Sequence, residues 1–376
     1  MSVDVSFVTS GHDVADARLH RLVRACRRRG LRIEVLGLAA ADPGELDADV
    51  RTWPRPSMSR RATLAARMAA TARGRVLVAL DPDSLLAVWG ATRLSRLPGR
   101  RAQARRLVAD VHENYADLLR DRAWAQGPLG VAARGVASAA ARLAARSDLT
   151  LVADDHVEPL SARERVVVRN EPDIELLGSP TEPEPAPRAV YVGDVRTSRG
   201  LFEMVDGVAG APDWTLDVIG QVAEADRGLL EQRLSEPDLA QRVRLHGRLA
   251  PDRSWEIARG AWVGLALLHD TPAFRDAVPS KLYEYLALGI VPVVSDLPRQ
   301  RELVTNVGSG FVVAAGPTGS RESAQETAAL LTRLAGDRQL LEAQRAAALR
   351  WRAALAEVGT TYDLAAQRIE ALLTSR

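Results

Sequence analysis

The sequence predicts an α/β protein built as two doubly wound parallel-sheet domains joined by a short linker. Three observations predict it. Short apolar runs alternate with helical stretches in both halves of the chain. Five prolines crowd residues 170–187, where helical periodicity stops. Beyond them AVYVG, LDVIG and VRLHG end at Gly193, Gly220 and Gly247, 27 residues apart. Little but the glycine recurs, so the spacing marks βα units and not a sequence repeat.

The elements follow in order. Val3, Val5, Phe7 and Val8 form a first strand, and residues 9–13 a small polar loop. Ala15, Leu19, Leu22, Val23 and Cys26 recur at helical spacing, Gly30 stops that helix, and 31–38 returns as a strand. Further strands are expected at 76–80, 107–111, 149–152 and 166–168, separated by alanine-rich helices such as 129–146. The second series has strands ending at Gly193, Gly220 and Gly247, then 263–268, 291–295 and 311–313. Leu340, Leu341, Trp351, Leu355, Leu364, Ile369, Leu372 and Leu373 give the tail an apolar helical face. The expected organisation is a first domain at 1–170, a linker at 171–187, a second domain at 188–350, and a closing helix at 351–376 that packs back on the first domain. Two α/β halves of this kind place ligands in a crevice facing the carboxyl ends of both sheets.

Composition bounds the function. The 376 residues are 47% hydrophobic and 26% charged, the fractions of a globular protein. The one cysteine, Cys26, excludes a disulfide framework and a cysteine-based zinc site. The start, MSVDVSFVTSG, lacks the basic and apolar regions of a signal peptide, and no run of about 18 apolar residues occurs. Of 50 basic residues, 49 are arginine and one is lysine, Lys281. Thirteen arginines lie in 51–106 against only Asp81 and Asp83. Such a stretch serves either as a solvated face or as a surface for phosphates or anionic lipid. Aromatic residues are 4% and do not interleave with it, which argues against nucleic acid.

Four segments carry candidate chemistry. In 276–295, DAVPSKLYEYLALGIVPVVS, Ser280 is placed as N-cap of a short helix closed by Gly289, with a buried strand after it. Lys281 and Glu284 share a face in its first turn. A cation beside helix amides suits a pyrophosphate, and a carboxylate one turn in suits a vicinal diol such as a ribose. The same spacing would also serve a surface ion pair. In 190–201, VYVGDVRTSRGL, Arg196 and Arg199 follow the strand-end glycine and Gly200 opens a helix. Guanidiniums there suit phosphate, or are solvated loop groups. In 107–119, LVADVHENYADLL, His112 ends a strand as a titratable or a structural histidine. In the first loop, Gly11 allows close backbone approach by a ligand. The chain has no GxGxxG, GxxxxGK[ST], HExxH or GxSxG, which argues against the common dinucleotide, P-loop, zincin and hydrolase sites.

Together these segments resemble glycosyltransferase family 4, retaining nucleotide-sugar transferases of GT-B fold. VPSKLYEYLALGIVPVVSD resembles the family's donor-binding helix and Gly-x-Pro-Val-Val strand. VYVGDVRTSRGL resembles its strand–Gly–loop–Lys/Arg-Gly element, and ADVHENY its Asp-x-His-Glu segment. DPDSLL at 81–86 and DVADARLHRLVRACRRRG resemble further first-domain elements. The resemblance implies that Glu284, second carboxylate of the family's E-x7-E motif, holds the donor ribose. Asp276 stands where the first glutamate belongs, a shorter carboxylate toward the sugar hydroxyls. Asp194 stands in the place of the family's arginine and Arg199 in that of its lysine, so Arg199 and Lys281 would clamp the diphosphate. His112 would meet the donor sugar, and Gly11 would lie near its phosphates. Gly193, Arg196, Gly220, Ser280 and Leu282 would complete the donor side. His12, Asp16, Arg18 and Glu113 would line the acceptor side. The implied reaction is front-face displacement with retention, without metal or cofactor. Asp81-Pro-Asp83 has the letters of a metal-binding DxD, but in the first domain reads as acceptor-side or structural. The implied donor is a UDP- or GDP-linked sugar. The acceptor is a glycan, a lipid-linked sugar or a small molecule. The implied location is cytoplasmic, with the basic 51–106 stretch available to an anionic membrane. Asp194 and Asp276 motivate a second reading, a catalytically degenerate scaffold. A GT-B sugar-nucleotide epimerase is a third.

Overall fold

The computed structural model describes residues 3–40, 43–95, 105–112, 127–239, 241–316 and 321–374. The chain divides into two compact units, Met1–Glu171 with Gly359–Arg376, and Pro172–Val358.

In the first unit the described elements are β1 (Val5–Asp13), α1 (Ala17–Arg28), β2 (Ile33–Leu38), β3 (Asp49–Trp53), α2 (Arg61–Thr71), β4 (Val76–Ala79), α3 (Pro82–Ser95), β5 (Arg106–Val111), α4 (Pro128–Ala144), β6 (Leu149–Val152) and β7 (Arg165–Val167). The strands form one parallel sheet in the order β3-β2-β1-β4-β5-β6-β7. Near-continuous apolar strands such as VLVA at 76–79 are buried on both faces, as a parallel sheet requires. β3 was not expected. Its sequence DVRTW has an exposed-to-intermediate pattern because it is an edge strand paired only with β2, and it needs no apolar run. The predicted loop at 9–13 is also extended, as part of β1, with a register irregularity between Val8 and Asp13.

The second unit holds α5 (Ile174–Leu177), β8 (Arg188–Val192), α6 (Leu201–Ala209), β9 (Thr215–Ile219), α7 (Glu224–Leu234), β10 (Val243–Gly247), α8 (Pro251–Ala258), β11 (Val263–Ala266), α9 (Ser280–Leu288), β12 (Val291–Ser295), α10 (Pro298–Val307), β13 (Phe311–Val313), α11 (Arg321–Gly336) and α12 (Arg338–Val358). Its parallel sheet runs β10-β9-β8-β11-β12-β13. Tyr191, Trp214, Leu216, Leu265 and Val293 are among the fully buried residues of its core.

Two expected boundaries move. The proline-rich 172–187 segment belongs to the second unit. Leu177 is buried there and its carbonyl accepts from Arg259, while the Glu184 carbonyl accepts from Trp262 Nε1 at 2.7 Å. The crossing back comes at Gly359, not 351, because 338–358 is one unbroken helix. Trp351 of that helix stacks on Tyr283, and Arg352 donates to the carbonyls of Ala287 at 2.7 Å and Gly178 at 2.8 Å. The last helix, α13 (Thr361–Thr374), then buries Tyr362, Ala365, Ala366 and Ile369 in the first core.

Candidate active site

Second-unit candidates gather at the carboxyl end of β8 and the start of α9. β8 ends at Val192, and Gly193 turns the chain with φ 130°. That conformation and the crowding both call for glycine: a Cβ on Gly193 would stand 3.1 Å from Lys281 Nζ. Gly220 stands behind it, where any Cβ would overlap the Gly193 carbonyl oxygen. Its role is therefore to admit the Gly193 turn, with the Gly193 amide bonded to the Ile219 carbonyl at 2.9 Å.

The loop after Gly193 is held from several sides. The Tyr191 hydroxyl donates to the Asp194 carbonyl at 2.6 Å. Thr197 donates through its amide and hydroxyl to Asp226, at 2.9 and 2.6 Å. Arg196 Nη2 donates to the Asp194 carboxylate at 3.2 Å, so Asp194 pairs with a neighbouring arginine. Arg199 closes a 3₁₀ turn, Thr197–Arg199, and its guanidinium stands 5.6 Å from the Phe274 ring centre. The His269 amide donates to the Ser198 carbonyl at 3.1 Å, and its Nε2 lies 2.8 Å from Oε1 of Glu203, both side chains buried.

Pro279, not Ser280, is the N-cap of α9, and no side chain caps that terminus. Ser280 is the first helical residue. Its expected capping bond is lost because a cap must lie outside the helix to reach back to the N2 or N3 amide. Leu282 is fully buried in the core and its amide closes a turn on the Pro279 carbonyl, so its side chain cannot meet a ligand. Lys281 and Glu284 are 5% and 6% exposed. Nζ of Lys281 has no hydrogen-bond partner and lies 3.5 Å from the centre of the Tyr191 ring. Burial, reinforced by the Arg199 charge, pulls the Lys281 pKa well below the ordinary lysine value, against Asp194 and Glu284. Burial pushes the Tyr191 hydroxyl up to about 12. Asp276 is exposed, beside the Asp270–Arg275 ion pair at 2.8 Å, and is not drawn into this cluster.

Magnitudes decide what such a site is for. A buried charge without a partner costs several kcal/mol, whereas a ring face returns about 0.5–2 kcal/mol. An anion at Lys281 removes that deficit, and the uncapped helix terminus adds roughly half a positive charge. The far end of α9 is neutralised: Arg352 donates to the Ala287 carbonyl, and Arg345 Nη1 lies 3.4 Å from that of Gly289.

First-unit candidates separate into two groups. His12, Asp16 and His112 come together. The His12 and His112 rings meet edge to face at 4.9 Å, and His12 Nδ1 is 3.8 Å from Asp16 Oδ2. Asp16 also caps α1 by accepting from the Leu19 amide at 2.9 Å. Desolvation raises its carboxyl, but His12, His112, the Leu19 amide and Arg21 together hold the pKa below the ordinary carboxylate value. Arg18 departs from expectation. It is buried in a bidentate pair with Asp110, with contacts of 2.8 and 2.6 Å, and also donates to the Val168 carbonyl. With its donors turned to the interior it supports the sheet and offers nothing to an acceptor. Gly11 departs too. The amides of Ser10 and Gly11 donate to Asp81 Oδ2 at 2.9 and 3.2 Å, so a carboxylate already occupies the place of a phosphate. Asp81 is thereby structural, and Arg61 pairs with Asp83 at 2.8 Å. Glu113 lies outside the described residues.

Tyr191, Tyr285, Glu203 and His269 were not legible as site residues. The tyrosines read as strand and helix core. The only signal for His269 was a histidine just past an apolar strand. Among the described residues no group of three or more His, Cys, Asp or Glu side chains could hold a metal ion.

Residues 174–351 match the profile of the family described as Glycosyl transferases group 1. No curated protein matches the chain in sequence. Among solved structures, HepE of Anabaena in complex with UDP-glucose is 18% identical with a TM-score of 0.68, over 99% of this chain and 100% of that chain. Sucrose-phosphate synthase of Thermosynechococcus elongatus is 14% identical with a TM-score of 0.65, over 99% and 95%. WaaG, a glycosyltransferase involved in lipopolysaccharide biosynthesis, is 14% identical with a TM-score of 0.63, over 98% and 99%. The two parallel-sheet units have the fold of the GT-B glycosyltransferases.

Proposed function

We propose that this protein is a retaining glycosyltransferase that moves a sugar from a UDP-linked donor to an acceptor hydroxyl and needs no metal. The observation that carries the reading is Lys281, a buried amine without a hydrogen-bond partner at an uncapped helix terminus. The match of 174–351 to the group 1 profile supports the reaction class. The UDP-glucose complex of HepE favours UDP over GDP.

In this reading Lys281, Arg199 and the first amides of α9 hold the diphosphate and stabilise the charge that grows on it as the sugar leaves. Glu284 accepts hydrogen bonds from the ribose diol. His112, with His12 and Asp16 beside it, serves the sugar and the incoming hydroxyl, and the first unit binds the acceptor. Cations fixed in the fold supply the counter-charge otherwise provided by a metal. A thermal-shift screen of nucleotide sugars, followed by transfer assays with and without chelator, tests the proposal. Stabilisation by a UDP-sugar and chelator-resistant transfer with retained anomeric configuration are expected. No stabilisation by any nucleotide sugar would return the chain to the scaffold reading. Donor conversion without acceptor would favour the epimerase.

A second observation bears on the acceptor. On α3, Leu86, Trp89 and Leu94 are exposed, and Arg93 lies over the Trp89 ring at 5.2 Å. Arg51, Arg61 and Arg73 of the basic stretch are instead paired with Glu34, Asp83 and Asp49. We assign the exposed set to an anionic membrane surface that carries a lipid-linked acceptor. Co-sedimentation with anionic but not neutral vesicles is expected, weakened by Trp89→Ala. Equal binding to both, or to neither, contradicts it. Among the described residues, no helix is long and apolar enough to cross a membrane.

A further inference from the structure

Lys281 does more than mark an anion site, because of what surrounds its amine. Below it is the face of the buried Tyr191 ring, at 3.5 Å. Beside it Gly193 leaves no room for a side chain, only 3.1 Å from Nζ to the place of a Cβ. The loop after Gly193 brings Asp194 and Arg199, the helix itself adds Glu284, and Arg196 and the buried Tyr285 stand beside Tyr191. Asp194 is engaged with Arg196, and Glu203 with His269 behind the loop. Lys281 is 5% exposed, its Nζ is buried, and no acceptor reaches it.

An ammonium in such a place has lost its water and gained no hydrogen bond, with a guanidinium as a neighbour. The neutral amine loses far less. A ring face attracts a cation but accepts no ordinary hydrogen bond, and so replaces little of the lost hydration. A diphosphate reverses the balance by offering several oxygen acceptors and at least two negative charges at the point where both are missing.

We infer that Lys281 stands as a neutral amine in the empty site and takes up a proton when the donor diphosphate binds. This rests on the donor-site reading above. The step balances simply: Lys281 –NH₂ gains one proton from solvent and becomes –NH₃⁺, which donates its N–H groups to phosphate oxygens. No bond to the donor is made or broken. Donor affinity is then pH-dependent in a way that an arginine at this position could not reproduce, since a guanidinium stays charged throughout. A chain with 49 arginines keeps its single lysine where a group able to shed its charge is needed.

The single lysine also makes the inference directly measurable. Protein grown on lysine labelled with ¹³C at Cε gives one side-chain resonance, that of Lys281. Its pH titration is followed by NMR in the free protein and with saturating UDP, with calorimetry of UDP binding in buffers of different ionisation enthalpy. In the free protein the midpoint is expected below that of free lysine, and with UDP well above the free-protein midpoint. Between the two, the calorimetric slope approaches one proton taken up per UDP, and UDP affinity falls toward tenfold per pH unit. UDP's terminal phosphate titrates near pH 6 (about that of a phosphomonoester), so readings well above it report on the protein. An ordinary lysine midpoint in the free protein, or coincident midpoints with and without bound UDP, overturns the inference. UDP that neither moves the resonance nor produces heat overturns the donor-site reading itself. Lys281→Met serves as the control: residual UDP binding with no proton uptake supports the inference, and unchanged uptake overturns it.

Discussion

The Tyr285 hydroxyl accepts the Val192 amide proton at 3.1 Å, joining the helix that carries Lys281 and Glu284 to the end of the strand before Gly193. The tyrosine is fully buried, and its ring fills the place where Gly264 would carry a Cβ. One backbone amide and one side-chain hydroxyl thus tie α9 to β8, below the residues that would touch a ligand.

That bond gives the first prediction. Tyr285→Phe leaves the ring in place and strands the Val192 amide, a loss of about 1–3 kcal/mol for a buried unsatisfied donor. Thermal melts of the second unit should fall accordingly. KM for the donor should rise more than kcat falls, because the phosphate-holding groups shift while the acceptor side does not. A variant with wild-type melting and donor KM would show that the bond does not fix α9.

Lys281→Arg should impair turnover although a cation would still face the diphosphate. The amine lies in a space bounded by Gly193 and the Tyr191 ring, and a guanidinium is larger and planar. Exchange of exposed arginines such as Arg253 or Arg338 for lysine should leave kcat/KM unchanged. Glu284→Ala should weaken UDP binding by about tenfold or more, the loss of a charge-assisted hydrogen bond of about 1.5–3 kcal/mol. Full activity of Lys281→Arg would make the lone lysine an accident of composition.

Arg18 and Asp110 should behave as structure. Removing one partner of a buried ion pair costs about 3–5 kcal/mol. Arg18→Ala should therefore lower the urea midpoint of the first unit while UDP binding to the second is retained. Wild-type stability with lost transfer activity would return Arg18 to the acceptor side.

Asp81 predicts an acid limit. Burial raises its carboxyl, but bonds from the Ser84 amide, Thr9 hydroxyl and loop amides, with His12 and Arg61 nearby, hold its folded pKa below the ordinary 3.8. As pH falls, the unfolded chain binds the proton first. The stabilisation is complete above the ordinary value and disappears as pH drops through the depressed one. Asp81→Asn should lower stability at neutral pH and flatten its decline in acid. A parallel decline in both proteins would remove Asp81 from the account.

Much of the fold could be read in advance because parallel strands buried on both faces must be apolar runs. Strands such as 76–79 and 291–295 announce themselves, whereas β3, with one neighbour and a solvated pattern, does not. The prolines of 172–187 suggested a free linker, but proline discourages helix without preventing docking, and Leu177 and Glu184 tie the segment down. Lys281 and Glu284 were legible from local spacing. What pairs across long separations was not: His12 with His112, Arg18 with Asp110, Gly11 with Asp81, Tyr285 with Val192. Each depends on which strands adjoin in the sheet, and local periodicity does not encode that.

The central claim is that the second unit holds a nucleoside diphosphate against Lys281 at the start of α9. Calorimetric titration of UDP into the wild type and into Lys281→Ala tests it most directly. The account predicts one UDP per chain in the wild type and at least tenfold weaker binding in the variant, with the fold of both verified by circular dichroism. Equal affinity in the two proteins, or no binding by the wild type, would contradict it.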